Sequence, residues 1–358
     1  MNIIEYLFTF LFTLFLFFFV IWKKKYLLKI SSEYTTIQKI HYDYVPPFGG
    51  LIIFISFYFY LFVFYKQESF FSYFYVLIPS LLIITVSSIE DLFNNIKPLI
   101  RFFVIFISSL IYCTFNDALP TIEIWKLGEI LKNNSLLNIL FFSICMTALT
   151  NGMNMIDGMN GLAAITSLCI MTGLIALLLL YNFNSIDLEI LFIFLGVLSI
   201  FFCFNFPLGK VFLGDAGAYW LGWILGAMVI EIFTFHELNT WIAPLILFYP
   251  TMEVFFSTIR KLISHKNPLL PDLQHLHLKL YFLLKGPTSR KPQFNSFTTL
   301  CLMPFWISPV LTIVWVQKNP DIAKYFLIFF IILYVSYFYL IPKKENNKEN
   351  QKVENNKR

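Results

Sequence analysis

Residues 151–162 read NGMNMIDGMNGL. Asn151, Asn154, Asp157 and Asn160 fall within ten residues of a chain otherwise dominated by phenylalanine, leucine and isoleucine. A lipid-facing helix has no use for them. An ionisable side chain at membrane depth is costly and lines a site or a cavity. Gly152, Gly158 and Gly161 let another group approach the backbone, or let a helix break. The segment reads as a polar site held by a membrane scaffold.

The scaffold follows from composition. Of 358 residues, 58% are hydrophobic, 13% are charged and 44 are phenylalanine, with a mean hydropathy of +0.72. These values exclude an ordinary soluble domain. About eleven apolar stretches are long enough to span a bilayer: 3–22, 48–65, 69–88, 99–116, 136–151, 161–181, 188–205, 217–235, 240–258, 296–316 and 323–341. The first lacks a basic leader and a small-residue cleavage site, so it reads as a helix and not a signal peptide. The expected fold class is an all-α polytopic integral membrane protein. Residues 1–341 form one transmembrane domain, followed by a charged, disordered tail over 342–358.

Basic residues set the orientation. Of the 26 Lys and Arg residues, all but Lys66, Lys126, Lys132, Lys318 and Lys324 fall in segments 23–47, 89–101, 206–216, 259–295 and 342–358. That side is expected to be cytoplasmic, with the N-terminus outside and the C-terminus inside. The net charge of +5 then reports topology and attraction to anionic headgroups, not nucleic-acid binding. Five cysteines lie in or beside apolar stretches without metal-like spacing, as packing residues.

The polar clusters gather at the cytoplasmic ends of these stretches. Tyr44–Gly50 (YVPPFGG) combines two prolines with two glycines before the second stretch. Ser87–Arg101 (SSIEDLFNNIKPLIR) carries adjacent Glu90 and Asp91, then Lys97 and Arg101. Paired carboxylates can hold a divalent cation or accept a proton, and basic groups can hold phosphate oxygens. In the opening segment, Asn151, Asn154, Gly158 and Gly161 recur at helical spacing and share a stripe. Gly214-Asp215-Ala216-Gly217 places a carboxylate at the expected start of a helix, which suits a cation or serves as an N-cap. In the loop 259–295, Asp272, His275 and His277 stand beside Lys279. The two histidines lack the i, i+4 spacing of a helical zinc pair. On an extended loop they point the same way, which suits diphosphate contact. Acidic and amide groups for magnesium, basic groups for phosphate and glycines for close approach thus share one face. Such a set suits phosphoryl transfer at the bilayer surface.

From Pro46 to Leu280 these motifs, in this order, resemble the polyprenyl-phosphate N-acetylhexosamine-1-phosphate transferases. In that family a polyprenyl phosphate attacks the β-phosphorus of a UDP-N-acetyl sugar and UMP leaves. The resemblance matches Glu90-Asp91 to an aspartate pair. It matches Asn151, Asn154, Asp157, Gly158, Asn160, Gly161 and Leu162 to an NxxNxxDGxDGL segment, Gly214, Asp215 and Gly217 to GDxG, and Asp272, His275 and His277 to a histidine-rich loop motif.

The resemblance implies Mg2+, with Mn2+ as a substitute, held by Asp215 and Asn154. It places Asn160 at the uracil and Asn151 in the substrate site. Glu90 and Asp91 come to lie near the metal and the lipid phosphate, where one of them takes up its proton, and Asp157 is a further catalytic carboxylate or a brace of the glycine-broken helix. His275 and His277, with Lys97 and Arg101, bind phosphate oxygens, and Asp272 belongs to the substrate site. The implied partners are a UDP-N-acetyl sugar and undecaprenyl phosphate in a bacterial cytoplasmic (inner) membrane, and relatives are often homodimers. Four positions depart from the pattern: Glu90, Asn94 and Asn160 replace aspartates, and Leu278 replaces a histidine. The combination resembles the branch that starts O-antigen or capsule glycans more than the peptidoglycan branch. A non-catalytic relative and a transporter of lipid-linked glycans are the alternatives. The lack of a fixed-period repeat speaks against the transporter.

Overall fold

A computed structural model describes residues 3–24, 45–64, 74–93, 95–116, 118–183, 186–267, 272, 274–285 and 293–342. Tyr44, Asn94 and the tail from residue 343 onward lie outside the described residues. Among the described residues every regular element is helical. The order is α1 Ile3–Trp22, α2 Gly49–Phe64, α3 Phe74–Phe93, α4 Pro98–Phe115, α5 Trp125–Asn133, α6 Ser135–Ile156, α7 Leu162–Leu180, α8 Ile186–Asn205 and α9 Gly214–Phe235. Then follow α10 Ile242–Ile246, α11 Phe248–Ile263, α12 Leu276–Lys285 and α13 Gln293–Cys301. Three one-turn helices, α14 Met303–Trp306, α15 Ser308–Leu311 and α16 Ile313–Val316, lead to α17 Ala323–Leu340.

The all-helical membrane architecture expected from composition is present. Eight helical segments are long and apolar enough to cross a bilayer: α1, α3, α4, α6, α7, α8, α9 and α17 with the turn before it. The other three expected spans differ. The second is an apolar helix of only 16 residues, α2. The stretch 240–258 is interrupted at Leu247, between α10 and α11, because Pro250 cannot donate a backbone N–H into a continuous helix. The stretch 296–316 is broken into α13–α16, where Pro304 and Pro309 each open a new turn. The loop 259–295 is also more structured than expected: α11 runs on to Ile263, and α12 occupies 276–285.

Helix α9 is the mast of the bundle. Its most apolar window is 83% buried, against 17% for α1 and 22% for the last span. It packs on α2, α3 and α6. Lipid tails are as apolar as the helices, so association in a membrane depends on close packing more than on expulsion of water. Small residues make that packing available. A Cβ on Gly50 of α2 would lie 1.9 Å from the Gly217 Cα of α9, and one on Gly222 would lie 2.8 Å from Thr150 and Met153 of α6. Between these contacts, Trp220 is fully buried and meets Phe54 edge-on at 5.2 Å and Phe194 at 5.8 Å.

The shared stripe expected for Asn151, Asn154, Gly158 and Gly161 holds only for the asparagines. Helix α6 ends at Ile156, Asp157 caps it, and Gly161 adopts a left-handed φ of +78°. The two later glycines therefore belong to the α6–α7 turn.

The α2–α9 contact yields a test. Gly50→Ala is expected to lower the Tm of detergent-solubilised protein, with an overpacking cost of about 1–3 kcal/mol. Gly226→Ala should be better tolerated, because its Cβ would meet only side-chain atoms of Leu149 and Met146 at 3.3 Å or more. Equal Tm values for the two variants would contradict the close approach.

Candidate active site

The site is built around the N-terminus of α9. The first backbone N–H groups of a helix lack intrahelical acceptors. Here a carboxylate from α3 supplies them: Asp91 Oδ1 accepts from Asp215 N at 3.0 Å, and Asp91 Oδ2 accepts from Ala216 N at 2.9 Å. Asp91 is 7% exposed. Gly214 has a φ of +79°, and a Cβ there would lie 2.9 Å from Asp91 Oδ2 and 2.5 Å from the Pro47 carbonyl. The 46–50 segment is tied to the same loop by its main chain. Gly49 N donates to Phe212 O and Gly50 N to Leu213 O, both at 2.9 Å, and Phe212 N donates to Pro46 O at 3.0 Å.

Arg101, in the first turn of α4, pairs with Asp215 and lies 3.8 Å from Glu90. Its guanidinium also faces the Tyr219 ring at 5.8 Å. Glu90 accepts a hydrogen bond from Ile96 N at 2.7 Å, closing the α3–α4 turn. Glu90, Asp91, Arg101 and Asp215 therefore form one connected group. Lys97 is exposed at the N-terminal boundary of α4, one turn before Arg101.

The end of α6 faces this group. Asn151 returns its amide to Thr147 O at 2.8 Å within its own helix. Among the described residues, no side chain hydrogen-bonds or ion-pairs with the Asn154 amide or the Asp157 carboxylate. Burial pushes the Asp157 carboxyl well above the usual range, and the nearby charges of Asp215 and Asp91 add to that shift.

Asn160 is 3% exposed. Its amide donates to Pro207 O at 3.1 Å, its N–H donates to Asn295 Oδ1 at 2.5 Å, and its carbonyl accepts from the Thr299 hydroxyl at 2.8 Å. In this structure, then, the residue expected at the uracil is drawn into the protein, with Oδ1 buried and without a hydrogen-bond partner. Asn205 braces the same turn: Oδ1 accepts from Gly161 N at 2.6 Å, and the amide donates to Val211 O at 2.9 Å. Asn205, Asn295 and Thr299 were missed by sequence reading. Their only signal was polarity at the ends of apolar stretches.

The histidine segment reaches this turn. A Cβ on Gly158 would lie 3.2 Å from His277 Nε2. His277 sits in the first turn of α12 and His275 just before it, not on an extended loop. The rings nevertheless point the same way, with planes 10° apart and centroids separated by 5.5 Å. Their Nδ1 atoms face Glu253 of α11, at 3.1 Å for His275 and 3.6 Å for His277. Burial holds His277 below the usual imidazole value despite that carboxylate. Glu253 too was missed, because it lies inside an expected span. Asp272 is a brace in this structure. It pairs with Arg260, accepts from Ser257 Oγ at 3.3 Å and from Gln274 N at 2.9 Å.

The donor set fits magnesium, which favours hard oxygen ligands and is often held by one or two carboxylates together with water and substrate phosphates. Asp215 and Asn154 offer such oxygens. Among the described residues, no group of three or more His, Cys, Asp and Glu side chains forms a ready-made metal cage. Asp215 and Glu90 set two carboxylates against the single guanidinium of Arg101.

Comparison with known proteins agrees with these motifs. The model of glycosyl transferase family 4 matches residues 73–233, which include every site residue named above from Glu90 to Asp215. The chain is 30% identical over 243 residues to the undecaprenyl-phosphate alpha-N-acetylglucosaminyl 1-phosphate transferase of Thermotoga maritima, covering 67% of this chain and 69% of the relative. It is 30% identical over 186 residues to a phospho-N-acetylmuramoyl-pentapeptide-transferase of Dictyoglomus thermophilum, covering 52% and 58%. A decaprenyl-phosphate N-acetylglucosaminephosphotransferase of Mycolicibacterium smegmatis is 27% identical over 158 residues, covering 37% and 38%. The chain thus spans less than two thirds of the last two relatives.

The Asp272 brace predicts an acid dependence. Burial alone would raise this carboxyl, but the Arg260 pair and the Gln274 N–H hold it below the usual range. Its stabilisation is complete above the unfolded value of about 3.9 and is lost as pH falls through the folded value. Asp272→Asn should therefore lower Tm at neutral pH, and the gap to wild type should narrow as pH falls below about 3.9. A gap independent of pH would contradict the charged brace.

Proposed function

The chain belongs to glycosyl transferase family 4, as a polyprenyl-phosphate N-acetylhexosamine-1-phosphate transferase, and from that premise we propose its reaction and its setting. It transfers an N-acetylhexosamine 1-phosphate from a UDP-sugar to undecaprenyl phosphate at the cytoplasmic face of a bacterial inner membrane. The product starts a lipid-linked surface glycan such as O-antigen. An oxygen of the acceptor phosphate forms a bond to the β-phosphorus of the UDP-sugar. The bond from that phosphorus to the bridging oxygen breaks, and UMP leaves with the electron pair. The names of the relatives make N-acetylglucosamine the first sugar to test.

The observation that carries this reading is the Glu90–Arg101–Asp215–Asp91 group, set against the unclaimed Asn154 and Asp157 across the α6–α7 turn. Phosphoryl transfer mainly requires positioning and neutralisation of charge. Arg101 meets phosphate oxygens once it exchanges Asp215 for substrate. His275, His277 and Lys97 add donors from the opposite side and from the α4 boundary. Asp91, with both oxygens on backbone N–H groups, positions Asp215. That leaves Asp157 to take the proton when the acceptor arrives as a monoanion. Asp215 and Asn154 would hold Mg2+, which supplies charge neutralisation on the diphosphate.

Asp215→Asn is expected to abolish magnesium-dependent UMP release in washed membranes while leaving the amount of membrane-embedded protein unchanged. Unchanged turnover would overturn the assignment of Asp215 to the metal.

A further inference from the structure

Glu253 lies on the buried face of α11 and is 1% exposed. A buried carboxylate is expensive unless its oxygens are well partnered. Its partners here are few and specific. Oε2 lies 3.1 Å from His275 Nδ1, within hydrogen-bond reach, and Oε1 accepts from the Tyr249 hydroxyl at 3.2 Å, while His277 Nδ1 stands 3.6 Å from Oε1, close enough to feel its charge but without a hydrogen bond. Neither reaction partner needs Glu253 directly, since it sits behind the histidines. The two rings are held nearly parallel, and the Nε2 edge of His277 abuts Gly158, in the turn that carries Asp157. Which imidazole nitrogen carries the proton is set by the hydrogen bond that the other nitrogen makes.

We propose that Glu253 is a positioning residue that keeps both His275 and His277 protonated at Nδ1 and turns both Nε2 atoms toward the phosphate-binding turn. The carboxylate acts on His275 through a hydrogen bond and on His277 through its charge at 3.6 Å. This rests on the phosphate-binding reading of the histidines given above. It goes further in assigning the residue that sets their orientation and tautomer.

The test uses full-length protein labelled with 15N-histidine in nanodiscs. Wild type is expected to show protonated Nδ1 on both His275 and His277. An unprotonated Nδ1 on either ring would overturn the proposal, whether or not any variant folds. Glu253→Gln should move at least one ring to the Nε2–H tautomer and lower kcat/KM by about 10–100-fold. Adding His277→Asn to that variant should cost little more. Unchanged tautomers in Glu253→Gln, or fully additive losses in the double variant, would overturn it as well. Absence of turnover by wild type with every UDP-N-acetyl sugar would refute the transferase reading alone, because the tautomer measurement does not depend on turnover.

Discussion

The Asp91 carboxylate at the N-terminus of α9 is the interaction on which the rest of the site depends. A bilayer offers little water to exposed N–H groups, so a buried helix start must be satisfied by protein. Most helices take a cap from the residue just before them. Here Leu213 stands in that place and contributes no side-chain bond, while Asp91 reaches across from α3. The cap therefore also joins two helices. It brings the α3–α4 turn beside the first turn of α9, where Arg101 meets Asp215 and Glu90. An anion at a helix N-terminus is favoured by the helix dipole as well as by hydrogen bonding.

That arrangement explains why glycines gather where the helices meet. Gly214 supplies the left-handed turn that admits both Asp91 and the Pro47 carbonyl. Gly50 and Gly217 let α2 run against α9 with almost no separation. The 46–50 strap then hydrogen-bonds directly to residues 212 and 213. A polar site at the end of an apolar bundle thus needs few charged residues. Asp91 is held by backbone N–H groups and Arg101 stands between Asp215 and Glu90, while no described side chain engages the Asn154 amide or the Asp157 carboxylate.

Much of this was legible in the sequence because lipid makes polarity conspicuous. The Glu90-Asp91 pair, the Asn151–Leu162 segment, the GDAG turn and the two histidines could be picked out since no lipid-facing helix would carry them. What could not be read was which polar groups serve others. Asp91 and Asp215 look alike in sequence, yet one caps a helix and the other faces Arg101. Glu253 was hidden inside an expected span, as was Thr299, and Asn295 stood just before one. Prolines 250, 304 and 309 decided where helices break, but helix-wide hydropathy averages over such positions. The left-handed Gly161 likewise ended a stripe that spacing alone would have continued.

The most direct measurement is the mass of the lipid formed when membranes containing the protein are incubated with UDP-N-acetylglucosamine and undecaprenyl phosphate. The expected product is undecaprenyl phosphate enlarged by one N-acetylhexosamine 1-phosphate, so that it carries a diphosphate and appears with UMP. A product enlarged by the sugar alone, appearing with UDP, would contradict the account. So would the absence of any lipid product across a panel of UDP-N-acetyl sugars.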